Sequence, residues 1–241
     1  ESGYPEILLM EAAAYGTAES ADKIIKKEIL GKVSLNQTEH KEINIIVLVG
    51  KGNNGGDGLV TARMLHANGA KVHVILLGAP GRYQGPARAN FQTLKKFSIR
   101  ISTFEASSLH ASLAQADVIV DALLGTGLSR PVEGRYRAAI EAINASEKPI
   151  VSIDIPSGVH GDSGLVLGAA VRANLTVTFG LPKLGNMLYP GSEHCGQLFL
   201  SHISFPPALH QSEALKIQTN WPLPGVAGGE ASQANNNLRA L

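Results

Sequence analysis

The chain has little of what disulfide frameworks and zinc sites are made from. A single cysteine, Cys195, stands among 241 residues. It cannot close an internal disulfide, and with no C-x-x-C pair a reducing compartment is natural. Cys195 lies in "EHCGQLFL" and reads as a small buried hydrophobe. The eight histidines include no pair at i, i+4, so His66, His73 and His160 read as surface or internally satisfied residues. Neither sign of charge is in excess: 21 Lys and Arg against 20 Asp and Glu leave +1. That provides no basic field for a phosphate backbone and argues against nucleic acid as partner. No apolar run reaches the roughly 18 residues that span a bilayer, and no basic-then-apolar signal segment opens the chain. The chain therefore reads as a cytoplasmic protein with no membrane partner.

What is present is a set of short β-branched runs: Ile43 to Gly50, Lys71 to Gly78, Ala116 to Gly125, Lys148 to Pro156, Leu175 to Gly180 and Gly196 to Ile203. Most are nearly continuous in apolar residues, as strands covered on both faces are. Helical patterns lie between several of them, at Leu59 to Ala67, Pro86 to Phe97 and Arg135 to Ile143. The alternation predicts an α/β fold with a mostly parallel sheet and helices on both faces. The segment from Tyr4 to Leu30 reads as mainly helical, with Leu8 and Met10 in the core. One domain over residues 1–221 is expected, and the Gly-, Ala- and Asn-rich residues 222–241 read as a linker or disordered tail.

The first strand runs into "GKGNNGGDG", where Gly50, Gly52 and Gly55 satisfy G-x-G-x-x-G. Such glycines let backbone N–H groups approach an anion at a helix N-terminus. The ribose-reading form also needs an acidic residue about 20 residues on, near the end of the second strand. Here that position falls in "HVILLGAPG", which has none. No G-K-[ST] closes the loop, so a Walker site is excluded. The unusual content is polar: Asn53, Asn54 and Asp57. Asp57 alone could be a helix N-cap or first-turn residue; the amides are hard oxygen ligands for a cation and donors to a substrate. Asp121, Asp154 and Ser157 stand at strand ends, where ligands bind in open parallel sheets. Each alone could be a cap or turn former. With Asn54, and with Arg130 and Lys51 the nearby cations, they suggest an oxygen-lined cation site beside a ligand pocket.

Four co-linear stretches, "GKGNNGGDGLVTARML", "VIVDALLGTGLSRPVEGRY", "SIDIPSGVHGDSG" and "TVTFGLPKLG", resemble the YjeF N-terminal domain family, the NAD(P)H-hydrate epimerases. The likeness runs from about Pro5 to Ile203. "LLMEAAA" departs from the family's Leu-Met-Glu-Asn-Ala at Ala12, and Lys51 replaces a commoner Pro or Gly. The resemblance implies a Rossmann-like three-layer α/β/α sandwich, often a homodimer, that interconverts the R and S forms of hydrated NADH and NADPH. By position, Asn53, Asn54, Gly55, Gly56 and Asp57 would contact the substrate, as would Gly125, Thr126, Gly127, Leu128, Ser129, Arg130, Pro131 and Asp154. Asn54, Asp121 and Ser157 would help hold a potassium ion. Tyr136 would reach the substrate or pack in its helix.

Epimerising a carbon that carries hydroxyl and nitrogen requires loss and return of hydroxide, or ring opening and reclosure; both need proton transfer. Asp154 is the expected acid/base, with Asp57 as substitute. Lys183 reads either as a group orienting phosphate or carboxamide oxygen or as a solvated loop lysine. Two rivals share the fold: an NAD(P)-dependent oxidoreductase, and a non-catalytic binding or dimerisation module. In two-domain relatives a dehydratase follows this domain, and "NWPLPG" at Asn220 to Gly225 resembles the start of that connection. A separate or a covalently linked dehydratase is thus an expected partner.

Overall fold

The β-branched runs pair in parallel. The computed structural model describes residues 5–24 and 43–203. Within them lie β1 (Asn44–Val49), β2 (Lys71–Leu76), β3 (Arg100–Thr103), β4 (Val118–Ala122), β5 (Ile150–Ile153), β6 (Leu175–Phe179) and β7 (Gln197–Ser201). Their order is β3-β2-β1-β4-β5-β6-β7, and every pairing is parallel. The chain builds outward from β1 through β2 to β3, then returns across β1 to begin β4. The order therefore reverses between β1 and β4, and a crevice opens there beyond the carboxyl ends. Val49 is level with Leu76 on one side and Ala122 on the other, so the segments leaving β1, β2 and β4 start at one height.

Side chains of each strand alternate between two cores. Ile45, Val47 and Val49 of β1 join Val74, Val120, Val151 and Val177 beneath α1 (Glu6–Ile24), α2 (Asn53–Ala67) and α3 (Gly85–Leu94). Ile46 and Leu48 face the other way, with Ile75 and Ile119, under α4 (Ala106–Ala114) and α5 (Gly134–Ala145). This is the three-layer α/β/α sandwich. Two single turns, α6 (Leu184–Met187) and α7 (Gly191–His194), precede β7. Arg63 Nη2 donates to both carboxylate oxygens of Glu11 at 2.6 Å, tying α2 to α1.

Several local expectations change. Met10 is core, but Leu8 is 49% exposed, on the outer side of α1 with Tyr15. β3 and α4 carry no strong apolar signal: "RIST" is exposed or half-buried throughout, and α4 buries only Leu109 and Leu113. Residues 25–30 of the leading helical segment, Asn220 to Gly225 and the tail 222–241 lie outside the described residues. Among the described residues no helix is long and apolar enough to cross a membrane.

Candidate active site

The turn after β1 is a close-approach turn. Gly50 N donates to the Ala122 carbonyl at 2.9 Å, and a Cβ on Gly50 would sit 1.8 Å from the Leu123 carbonyl oxygen. A Cβ on Gly55 would lie 2.1 Å from the Gly50 oxygen, so the start of α2 presses on the end of its own strand. Gly50→Ala is expected to cost about 1–3 kcal/mol, lowering Tm by roughly 2–4 °C per kcal/mol. Gly52→Ala, with nothing within 4 Å of the added carbon, is expected to shift Tm far less; thermal denaturation of both variants checks this.

α2 begins at Asn53, not near Leu59 where its apolar pattern starts. Two Asn and three Gly are poor helix formers, but packing overrides propensity, since a Cβ on Gly58 would meet the Ala122 Cβ at 2.4 Å. The N–H groups of Asn53, Asn54 and Gly55 are thereby left at the positive end of a 15-residue helix, facing the crevice. Asp57 is neither cap nor first-turn residue; the cap is Gly52, which makes no side-chain bond.

The second cluster is organised by Asp121, which is fully buried. Its Oδ1 accepts from Ser157 Oγ (2.6 Å) and Leu123 N (3.2 Å), and its Oδ2 from Ser152 Oγ (2.8 Å) and Ser157 N (2.9 Å). Four donors hold the carboxylate, and none carries a charge. Burial raises its pKa, and the bonds from Ser157, Ser152 and Leu123 pull it back. Leu124 joins the network, donating its N–H to Ser157 Oγ at 2.8 Å and accepting Asn54 Nδ2 at 3.0 Å. The other end of that amide stands alone: Asn54 Oδ1 is buried without a hydrogen-bond partner. A buried unpaired acceptor costs about 1–3 kcal/mol, which a bound group would recover. Asn54 in the first turn of α2, Asp121 of β4 and Ser157 after β5 thus come together around one orphaned oxygen, whereas Asp154 turns to Lys183.

Asp154 leaves β5 with φ of 67°, a left-handed conformation rare for a side-chain-bearing residue and concentrated at functional sites. The surroundings hold that turn: Asp154 N donates to Val177 O at 2.7 Å, and its carbonyl accepts Asn186 Nδ2 at 3.1 Å. Its Oδ1 is paired with Lys183 Nζ and also accepts from Thr178 Oγ1 and Phe179 N, each at 3.3 Å. Lys183 is completed by Phe179 O at 3.0 Å and Thr178 Oγ1 at 3.2 Å. Lys183 is therefore not a solvated loop lysine. Asp57 is close enough to feel both charges. Burial first, then the negative charge of Asp154, pushes it well above the ordinary carboxylate range, and Lys183 offsets only part. Two aspartates of unlike environment, one ion-paired and one with its pKa raised by burial, are what general acid–base work uses.

The loop Gly125 to Pro131 runs over the crevice with Thr126, Gly127, Ser129, Arg130 and Pro131 exposed. It is seated where a Cβ on Gly161 would touch Thr126 Cβ at 3.3 Å, and where Gly125 packs on Asn54. Tyr136 packs on the α4/α5 core while its hydroxyl meets the Lys51 backbone; burial raises its pKa and that hydrogen bond restrains it. It thus packs in its helix and also reaches the glycine turn. Gly56 lies under α1, where a Cβ would be 2.6 Å from Met10 Cε.

A family model described as the YjeF-related protein N-terminus matches residues 6–185. The bifunctional NAD(P)H-hydrate repair enzyme of Thermofilum pendens is 48% identical over 217 residues, covering 86% of this chain and 41% of that protein. The corresponding enzyme of Moorella thermoacetica is 36% identical, with 37% of its length covered. The chain thus spans about two-fifths of the length of these bifunctional relatives. The NAD(P)H-hydrate epimerase of Limosilactobacillus fermentum is 35% identical over 200 residues, covering 83% of this chain and 86% of that one. The crystal structure of yeast ynu0 superposes with a TM-score of 0.68 at 25% identity, covering 82% of this chain and 79% of that chain.

Proposed function

The chain belongs to the YjeF-related N-terminal family, and from that premise we propose that it is an NAD(P)H-hydrate epimerase interconverting the R and S forms of hydrated NADH and NADPH. The observation that carries the mechanism is the Asp154–Lys183 ion pair on a left-handed turn after β5, with Asp57 of α2 within electrostatic reach of both charges. The pyrophosphate lies on the N–H groups of Asn53 to Gly55. The hydrated ring extends toward Asp154, under the loop Gly125 to Pro131. Asp57 donates a proton as the carbon–hydroxyl bond breaks and Asp154 accepts one as water returns to the other face; in the ring-opening route the two act on hydroxyl and ring nitrogen. Lys183 holds the Asp154 carboxylate in place. Nothing in this set calls for hydride transfer.

The residues expected to hold potassium suit a hard monovalent cation. Asn54 Oδ1 is buried and unpaired, and Asp121 is a buried carboxylate with only neutral donors. Asn54, Asp121 and Ser157 would hold the ion, which would supply positive charge near the pyrophosphate. Potassium, compared with a large organic cation at equal ionic strength, is expected to raise Tm by the linkage between binding and folding, and Asn54→Ala to abolish that rise. An equal rise in the variant counts against the site.

Ile7, Leu8 and Tyr15 leave an exposed apolar face on α1 that a second copy would cover in a homodimer. The bifunctional relatives fit a dehydratase, linked or separate, as the enzyme that consumes the epimerised product. The function itself is tested by following one purified isomer as it converts to the other on addition of the protein.

A further inference from the structure

Dinucleotide folds read the adenosine ribose at the end of the second strand, an acidic residue binding the 2′-hydroxyl and an arginine accommodating a 2′-phosphate. From Gly58 to Phe104 this chain has no Asp or Glu at all, against seven Lys or Arg. Cations gather where β2 ends. Lys51 leans over that end, since a Cβ on Gly78 would be 2.9 Å from its Cβ. Arg135, at the start of α5, donates Nη1 to the Leu77 carbonyl at 3.2 Å. Arg82 closes the single 3-10 turn Pro80–Arg82 that follows, and is exposed. Neither Lys51 nor Arg82 makes an ion pair among the described residues.

The distance across the sheet suits a dinucleotide. Asp154 lies beyond β5, three strand positions from β2 in the order β2-β1-β4-β5, which is roughly 14 Å at about 4.8 Å per strand. The α2 N-terminus lies between, over β1. With the reacting ring at Asp154 and the pyrophosphate on α2, the adenosine end falls over Gly78.

We propose that Lys51 and Arg82, backed by Arg135, form a 2′-phosphate subsite that makes this chain prefer hydrated NADPH over hydrated NADH. The proposal rests on the epimerase reading for the direction of the bound substrate. An ammonium and a guanidinium in the segments that follow β1 and β2 would grip the phosphate by charge-assisted bonds.

The test measures kcat/KM for the two hydrated substrates, and Kd for 2′-phospho-ADP-ribose and ADP-ribose by calorimetry. The phosphorylated member of each pair is expected to be favoured about tenfold or more. The Lys51→Ala/Arg82→Ala double variant should bring both ratios close to one. Lys96→Ala, which removes one positive charge beyond the far end of α3, should leave them unchanged. Equal ratios in the native protein, ratios that survive the double substitution, or an equal fall in Lys96→Ala would each overturn the subsite. Epimerisation of both substrates with equal efficiency would overturn it while leaving the function intact. Discrimination between the two ADP-ribose ligands without any epimerisation would overturn the function and leave the subsite standing.

Discussion

Asp154→Asn is expected to lower kcat for epimerisation by about 10²–10⁴-fold, the range for removing a positioned acid–base group, with a smaller change in KM. Asn keeps the shape and can occupy the same left-handed backbone position, so the turn after β5 and the bond from Asn186 should persist. What is lost is the group that takes up the proton. A stability cost is also expected, because the pair is largely buried and Lys183 loses its anion, keeping only Phe179 O and Thr178 Oγ1 as acceptors. Near-native kcat in a folded Asp154→Asn protein would remove Asp154 from the chemistry. Lys183→Met leaves Asp154 in place but unsupported, and should give an intermediate loss.

Asp57→Asn should separate activity from stability. Loss of the proton donor is expected to reduce kcat about 10²-fold or more, while Tm at neutral pH rises. The sign follows from the raised pKa of Asp57, caused first by burial and then by Asp154. A carboxyl whose folded pKa lies above its unfolded one contributes its full stability below the ordinary aspartate value of about 4. That contribution is lost as pH climbs through the raised value. Asn has no proton to lose. The Tm advantage of the variant should therefore be absent near pH 4, grow with pH, and level off above the folded pKa of Asp57. The fall of native kcat at high pH should follow the same ionisation and disappear in the variant's residual rate. A Tm gap independent of pH would mean that Asp57 is not the protonated partner.

How legible these features were in the sequence depends on how local their cause is. Val47, Val49, Ile119 and Val120 read as buried strands because their neighbours in sequence share their surroundings, and the sheet follows from such runs. β3 was missed because an edge strand faces solvent on much of its surface, so "RIST" need not be apolar. The start of α2 was hidden for the opposite reason: Asn53 to Gly58 are helical through contact with β1 and β4, against their own propensity. The candidate residues at strand ends were visible as polar interruptions of apolar runs, and the family likeness aligned them. Their roles were less visible. Asp154 and Lys183 are 29 residues apart and meet only because β5 and β6 run side by side, so Lys183 read equally well as a loop lysine. The orphaned oxygen of Asn54 likewise appears only once Leu124 has claimed the other end of the amide.

Inversion of one carbon of a hydrated nicotinamide ring can be followed by incubating chirally purified R isomer of hydrated NADPH with the protein in potassium buffer and resolving the isomers over time. The expected result is an approach to the same R/S mixture that the S isomer reaches, far faster than without protein and slowed at least a hundredfold by Asp154→Asn. Conversion at the protein-free rate would contradict it and leave a binding module on this fold as the surviving reading.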